Sequence, residues 1–383
     1  MTAPVLPWLP DRHLGAVSTL AHADELISQV GDLLFAYLRS GEVIAVREVP
    51  NGAVSDAVVE AIAPIPRRVP LLVADALVTL RAAIEHTLFT EVEFVCGSPL
   101  DERAARSIEM PASRTYEEFA DWVRGRARRT PTAMAQGSEI LRRVEGLQPY
   151  HRNIRPDLHP LARLALHTNH AKHRTPAITA VRLVTIVRDD RVPLSLDELD
   201  LRPEVPLIVG DVIAQTPLGQ RVAASLFPTI GINRPGTDQW PILMHELDEI
   251  SRWVREQAIP RLVTGGHPPP DKIPAFYEID VGHEDERAAI GLGTSTAATE
   301  RNKIQMGAAI ARQNLVGALL PMSDDLTAEV ITAWAAQLSD EHVLERVTRL
   351  KPGPRDDLSL VEQNVGALAV LRDEVLQFGA AAS

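Results

Sequence analysis

Residues 71–96 read LLVADALVTLRAAIEHTLFTEVEFVC, the most apolar helical stretch in the chain. Aliphatic side chains recur through it at helical spacing, interrupted by Asp75, Thr79, Arg81, Glu85 and His86. Aromatic residues make up only 4% of the chain, so aliphatic helix packing has to build most of the core. This points to a mainly α protein, a helical bundle with small antiparallel β insertions and a further helical domain after it.

The flanking sequence fills in that plan. AHADELISQVGDLLFAYLRSG (21–41) reads as a helix ended by Gly41. EVIAVREVPNGAVSDAVVEAIAPIPRRVP (42–70) reads as a hairpin turning at Pro-Asn-Gly. RTYEEFADWVRGRARR (114–129) opens with a capping box of Thr115 and Glu118, GSEILRRVEGLQPYH (137–151) stops near Pro149, and HPLARLALHTNHAKHR (159–174) starts at Pro160. VRLVTIV (181–187), PLIVGDVIAQ (206–215) and SLFPTIGINR (225–234) have strand character and form one small antiparallel sheet, with SLDELD (195–200) as a turn. Helix returns in WPILMHELDEISRWVREQAI (240–259), with Leu243, Leu247, Ile250 and Val254 on one face. VTGGHPPPDKIP (263–274) is a Pro/Gly linker. It divides a helical domain with β elements (1–262) from a C-terminal helical domain (275–383). In the latter, helices are expected from about Thr296, over 323–338, and from a capping box of Ser359 and Glu362. The proline-rich N-terminal residues read as an extended arm.

The single cysteine, Cys96, excludes an intrachain disulfide and any cysteine-pair zinc site, which fits a reducing, cytoplasmic setting. MTAPVLPWLPDRHLGAV lacks a cationic start followed by an apolar run, so no signal peptide is expected. No apolar stretch approaches the roughly 20 residues of a membrane span. The net charge of −12 argues against a general nucleic-acid binder. Residues 124–188 nevertheless hold thirteen Lys and Arg against three acids, a local excess of ten positive charges. Such a segment either attracts a phosphate-bearing partner or pairs with acidic helices elsewhere in the fold.

Two constellations carry candidate chemistry. In RAAIEH, Arg81 and His86 are five residues apart, about 140° around and about 7.5 Å along a regular helix. An imidazole titrating near neutrality and a guanidinium that forks onto phosphate oxygens would suit phosphodiester chemistry. Equally, Arg81 and Glu85 form an i,i+4 ion pair, and Asp75 shares the His86 face as a structural polar partner. In HTNHAKHR, His167, His170 and His173 recur every three residues, but no further metal-binding partner accompanies them, so no metal and no cofactor are expected. Beside the Arg81 helix, Lys172, His173 and Arg174 with Tyr150 would favour an anion over a cation.

Three ordered motifs, ADALVTLRAAIEH, GLQPY and HAKHR, resemble an uncharacterised family of bacterial helical proteins that carry GDALHNLRSALDH, LQPY and DKHR. The resemblance covers roughly residues 30–262 and implies the helical fold. The chain departs from it at Val78–Thr79, where those proteins have His-Asn, and at Ala171, where they have Asp. RAAIEH also resembles the R-x4-H motif of the HEPN superfamily, many of whose members are metal-independent endoribonucleases working as dimers. That resemblance implies His86 as general acid/base, Arg81 as phosphate stabiliser, Lys172, His173, Arg174 and Tyr150 as anion-binding support, RNA or another phosphate-bearing ligand as partner, and a homodimer. The implied role is a HEPN-like endoribonuclease or nucleotide-binding protein in defence or stress response. The competing reading is a non-catalytic scaffold whose Arg, His and Asp residues form a structural network. GTSTA around Ser295 and GLG at 291–293 lack the strand context that a nucleophile elbow or a dinucleotide loop requires.

Overall fold

A computed structural model describes residues 5–41, 43–127, 130–188, 199–220, 222–351 and 357–382. The chain is mainly α. Its helices are α1 (Leu14–Arg39), α2 (Arg68–Cys96), α3 (Glu102–Ala105), α4 (Tyr116–Arg126), α5 (Glu139–Glu145), α6 (Pro160–His173), α7 (Leu243–Trp253), α8 (Ile259–Thr264), α9 (Glu286–Gly291), α10 (Ala298–Leu319), α11 (Ala328–Gln337), α12 (Asp340–Thr348) and α13 (Leu358–Ala382). Its strands are β1 (Ile44–Asn51), β2 (Val54–Ile62), β3 (Thr179–Arg188), β4 (Val212–Pro217) and β5 (Ala224–Ile232).

The apolar stretch at 71–96 forms the central helix α2, packed along α1. Leu77, Leu80, Ile84, Leu88 and Val92 are all fully buried. Each such side chain contributes about 1.5–3 kcal/mol by leaving water. Gly97 ends the helix in the left-handed region (φ 68°), where its N–H reaches the Glu93 carbonyl at 3.0 Å. Of the α7 face, Leu243, Leu247, Ile250 and Val254 are all fully buried in the same core, as their spacing requires.

The hairpin forms between β1 and β2, with Gly52 (φ 64°) in its turn. The remaining strands do not make a single sheet. β4 adds to β2, giving the order β1-β2-β4, while β3 pairs with β5. The two sheets meet through Val59, Leu183, Ile186 and Ile213. Pro228 in β5 lies opposite Leu183, where the register shifts, because a proline has no N–H to give the ladder. Most of SLDELD, together with Arg128 and Arg129, lies outside the described residues.

Three sequence expectations change. The N-terminal arm is packed rather than extended: Leu6 and Leu9 are buried, and Arg287 donates to the carbonyls of Val5 (2.7 Å) and Leu9 (2.6 Å). The proline segment does not divide the core, since Ile273, Tyr277, Ile290 and Ala298 all belong to the same apolar cluster as α1 and α2. A separate cluster begins only at Ala308, inside α10, and includes Leu319, Ile331, Trp334, Val343 and Leu371. Finally, α13 begins one residue before Ser359, and Asp357 accepts the Leu360 N–H (3.1 Å) in place of the expected cap. Among the described residues, no helix is long and apolar enough to cross a membrane.

Candidate functional site

The structure separates the residues that the R-x4-H reading joins. Arg81 is largely buried and turned toward the loop at Met110. Its Nε donates to Glu85 Oε1 at 2.7 Å and its Nη2 to the Met110 carbonyl, while Glu85 Oε2 accepts the Met110 N–H at 2.8 Å. The pair thus satisfies both backbone groups of a residue that is 1% exposed. Burial pushes the Glu85 carboxyl up, against the Arg81 charge and the Met110 N–H. His86 and Asp75 are exposed instead, and Thr79 is occupied with the Asp75 carbonyl (2.8 Å). The regular helix directs positions 81 and 86 apart, and the i,i+4 neighbour takes the arginine.

Lys172, His173 and Arg174 are exposed at the C-terminal end of α6. Tyr150 donates to Glu145 (3.0 Å) and packs on Tyr116, Phe119 and His151. The three α6 histidines also diverge: His167 donates to Glu246, and His170 Nδ1 lies 3.1 Å from the Thr175 carbonyl. Among the described residues, no group of three or more metal-ligating side chains could hold an ion.

Most of the basic segment is internally paired. Arg124 binds Asp121, Arg126 binds Glu109, Arg142 binds Glu139 and Arg155 binds Asp157. Arg143 reaches the buried Glu91 (3.2 Å), which also holds Arg12 and His13, each at 2.7 Å. Burial raises the Glu91 carboxyl, but the hydrogen bonds from His13 and Arg12 win and leave it lowered.

A cluster that sequence reasoning missed lies where α6 meets α7. Glu246, 1% exposed, accepts Arg163 Nη1 (2.7 Å), Arg234 Nη2 (2.7 Å) and Arg234 Nε (3.0 Å), with His167 Nε2 at 3.3 Å. Burial pushes its carboxyl up, yet the hydrogen bonds from His167 and Arg234 and the charges of Arg163 and Arg234 more than offset this and hold it at about 2. Arg163 Nη1 is shared with Glu249 (2.6 Å), and its Nε is buried without a hydrogen-bond partner.

Arg163 forms one wall of a cleft of about 540 Å³ that opens at the start of α6. Pro160, Arg152, Arg234 and Trp253 line it too. Proline suits the first helical position, where an N–H would be orphaned, and the positive end of the helix dipole points into this region. His159 caps the helix, its Nδ1 accepting the Leu161 N–H at 3.2 Å. Burial first, then the charges of Arg152, Arg163, His151 and Arg261, push its pKa down to about 4, so the ring is neutral and Nδ1 stays an acceptor. The ring stands edge-on to Trp253, centroids 5.1 Å apart. Arg152 donates to the carbonyls of Ile154 (3.0 Å) and Leu158 (3.3 Å) and forms no ion pair among the described residues.

Both carboxylates of the cleft are engaged, Glu249 with Arg163 and Glu256 with Lys272 (3.0 Å). The arrangement therefore offers cationic donors held in place by acids, which suits the binding of an anion. In the sequence, only the basic window and the His-Pro helix start hinted at it. The chain matches no family model, no curated protein and no solved structure.

Proposed function

We propose that this protein binds a phosphate-bearing ligand in the arginine cleft at the start of α6 and does not cleave it. One observation carries the reading: Arg152, Arg163, Arg234 and Arg252 line one cleft at the start of α6 against two carboxylates that are already ion-paired. Helix N-termini and guanidiniums are the protein groups best matched to phosphate oxygens. Arg152 adds a cation that forms no ion pair among the described residues. We take the helices from Ala308 onward as a domain of their own, on the strength of their separate apolar cluster, with no part in this cleft.

A HEPN-like endoribonuclease, with RNA as substrate and a homodimer as active form, is the second reading. The exposure of His86 favours it, and the engagement of Arg81 with Glu85 and Met110 weighs against it.

Titration calorimetry with ribose 5-phosphate and the four nucleoside 5′-monophosphates tests the first reading. Arg152→Ala leaves no buried charge unpaired, so it should fold normally and weaken binding about tenfold or more, the cost of about 1.5–3 kcal/mol for a lost hydrogen bond to a charged group. Equal affinity in wild type and variant, or no binding by any of the five compounds, overturns the proposal.

A further inference from the structure

Resting on that reading, we infer that the ligand is a mononucleotide, its phosphate at Arg152 and the start of α6 and its base on the face of Trp253. The second half of the cleft is built differently from the first. Glu249, Arg252, Trp253, Glu256 and Gln257 lie at i, i+3, i+4, i+7 and i+8, a single face of α7 carried onward. The opposite face, including Val254 and Ala258, is buried in the core. Trp253 packs partly on that core and also lines the cleft, with the His159 ring set across it at 79°, centroids 5.1 Å apart.

The backbone here departs from a regular helix. Val254–Ala258 is a π turn in which the Ile259 N–H reaches the Val254 carbonyl. Pro260 follows and has no N–H to return to Glu256, which removes one α-helical bond at this place. π turns of this kind concentrate at binding sites. This one carries Glu256 and Gln257 into the cleft wall immediately after the indole ring.

The chemistry of the lining selects among phosphate compounds. Beside the arginines, Glu249, Glu256 and Gln257 keep acceptor oxygens on this wall even though both carboxylates are ion-paired. They accept hydrogen bonds from hydroxyl and amino groups, which ribose and a nucleobase supply. A volume of about 540 Å³ exceeds the needs of an inorganic anion and lies within the usual range for small-molecule sites. Single-stranded RNA asks for successive aromatic platforms along a basic groove, whereas this cleft presents one tryptophan.

The test compares ribose 5-phosphate, the four nucleoside 5′-monophosphates and a ten-residue oligouridine by calorimetry on the full chain. The best mononucleotide should bind at least about fivefold more tightly than ribose 5-phosphate, the increment one base–aromatic stack provides. Trp253→Leu should abolish that difference and leave ribose 5-phosphate affinity within about twofold, while Trp253→Phe restores most of it. Equal binding of ribose 5-phosphate and every mononucleotide, still sensitive to Arg152→Ala, refutes the base subsite and leaves the phosphate reading standing. Indifference of all ligands to Arg152→Ala refutes both. Oligouridine binding more tightly than any mononucleotide replaces the mononucleotide with RNA.

Discussion

Replacing Glu246 by glutamine keeps the side chain's shape and removes the one negative charge buried among Arg163, Arg234 and His167. The carboxyl has a folded-state pKa of about 2 against an ordinary 4.5. A depressed pKa stabilises the fold above the unfolded value, and that contribution disappears as pH falls through the folded one. The difference corresponds to about 3 kcal/mol at pH 7, at roughly 1.4 kcal/mol per unit. Glutamine in addition turns an N–H₂ toward guanidinium donors, so the loss should reach at least that size. Urea unfolding of wild type and Glu246→Gln between pH 7 and pH 3.5 measures it. The gap should hold constant from pH 7 to about pH 5.5, then narrow by about 1 kcal/mol by pH 4 as the unfolded wild-type chain takes up the proton that the folded carboxylate still refuses. A gap that stays the same down to pH 3.5 would show that shape or hydrogen bonding, and not charge, is what Glu246 contributes.

Two further outcomes follow from the described contacts. Asp24→Ala should loosen the start of α10, because buried Asp24 accepts the Ala298 N–H (2.8 Å) and the Arg301 guanidinium (2.7 Å). A loss of about 1–3 kcal/mol, with faster amide exchange confined first to residues 298–305, is expected, and unchanged exchange there would sink the idea. RNA incubated with EDTA should stay intact with wild type and with His86→Ala alike, whereas cleavage by wild type alone would restore the endoribonuclease reading.

What the sequence revealed, and what it did not, follows the range of the interactions. The helices α1, α2 and α7 were legible because their apolar spacing is a local record of which face meets the core. The β1–β2 hairpin was legible from Pro-Asn-Gly. The pairing of β2 with β4 was not, because those strands lie some 150 residues apart and share no turn. Ser359 and Asp357 are both good caps, and the helix began at the earlier one. VTGGHPPPDKIP has a linker's composition, yet Ile273 and Tyr277 beyond its prolines enter the main core. A run of prolines withholds its N–H groups from helix and ladder without ruling out burial. The basic excess at 124–188 was visible, but besides its own Glu139 and Asp157 several of the acids that answer it come from other parts of the chain: Glu91 for Arg143, and Glu246 and Glu249 for Arg163.

Those distant acids also decide which arginines can bind a ligand and how well. A free guanidinium on a long side chain loses rotamer freedom when it closes on a phosphate, and that loss subtracts from affinity. Arg163 is already held at Nη1 by Glu246 and Glu249, and Arg234 is held by Glu246 and Gln239. Their ordering was completed on folding. The same acids cancel much of their charge, so the held arginines supply direction more than net attraction. Arg152, held by carbonyls alone, keeps its full charge beside them. Long-range attraction should therefore depend on Arg152, and orientation on Arg163 and Arg234. The Arg81–Glu85 pair is fixed in much the same way: both Glu85 oxygens and the Nε and Nη2 of Arg81 are spent on the pair and on Met110, and Arg81 Nη1 is buried without a partner. Fixing an arginine does not by itself make it a binding group; Arg163 has in addition its place in a cleft wall with Arg152 and Arg234.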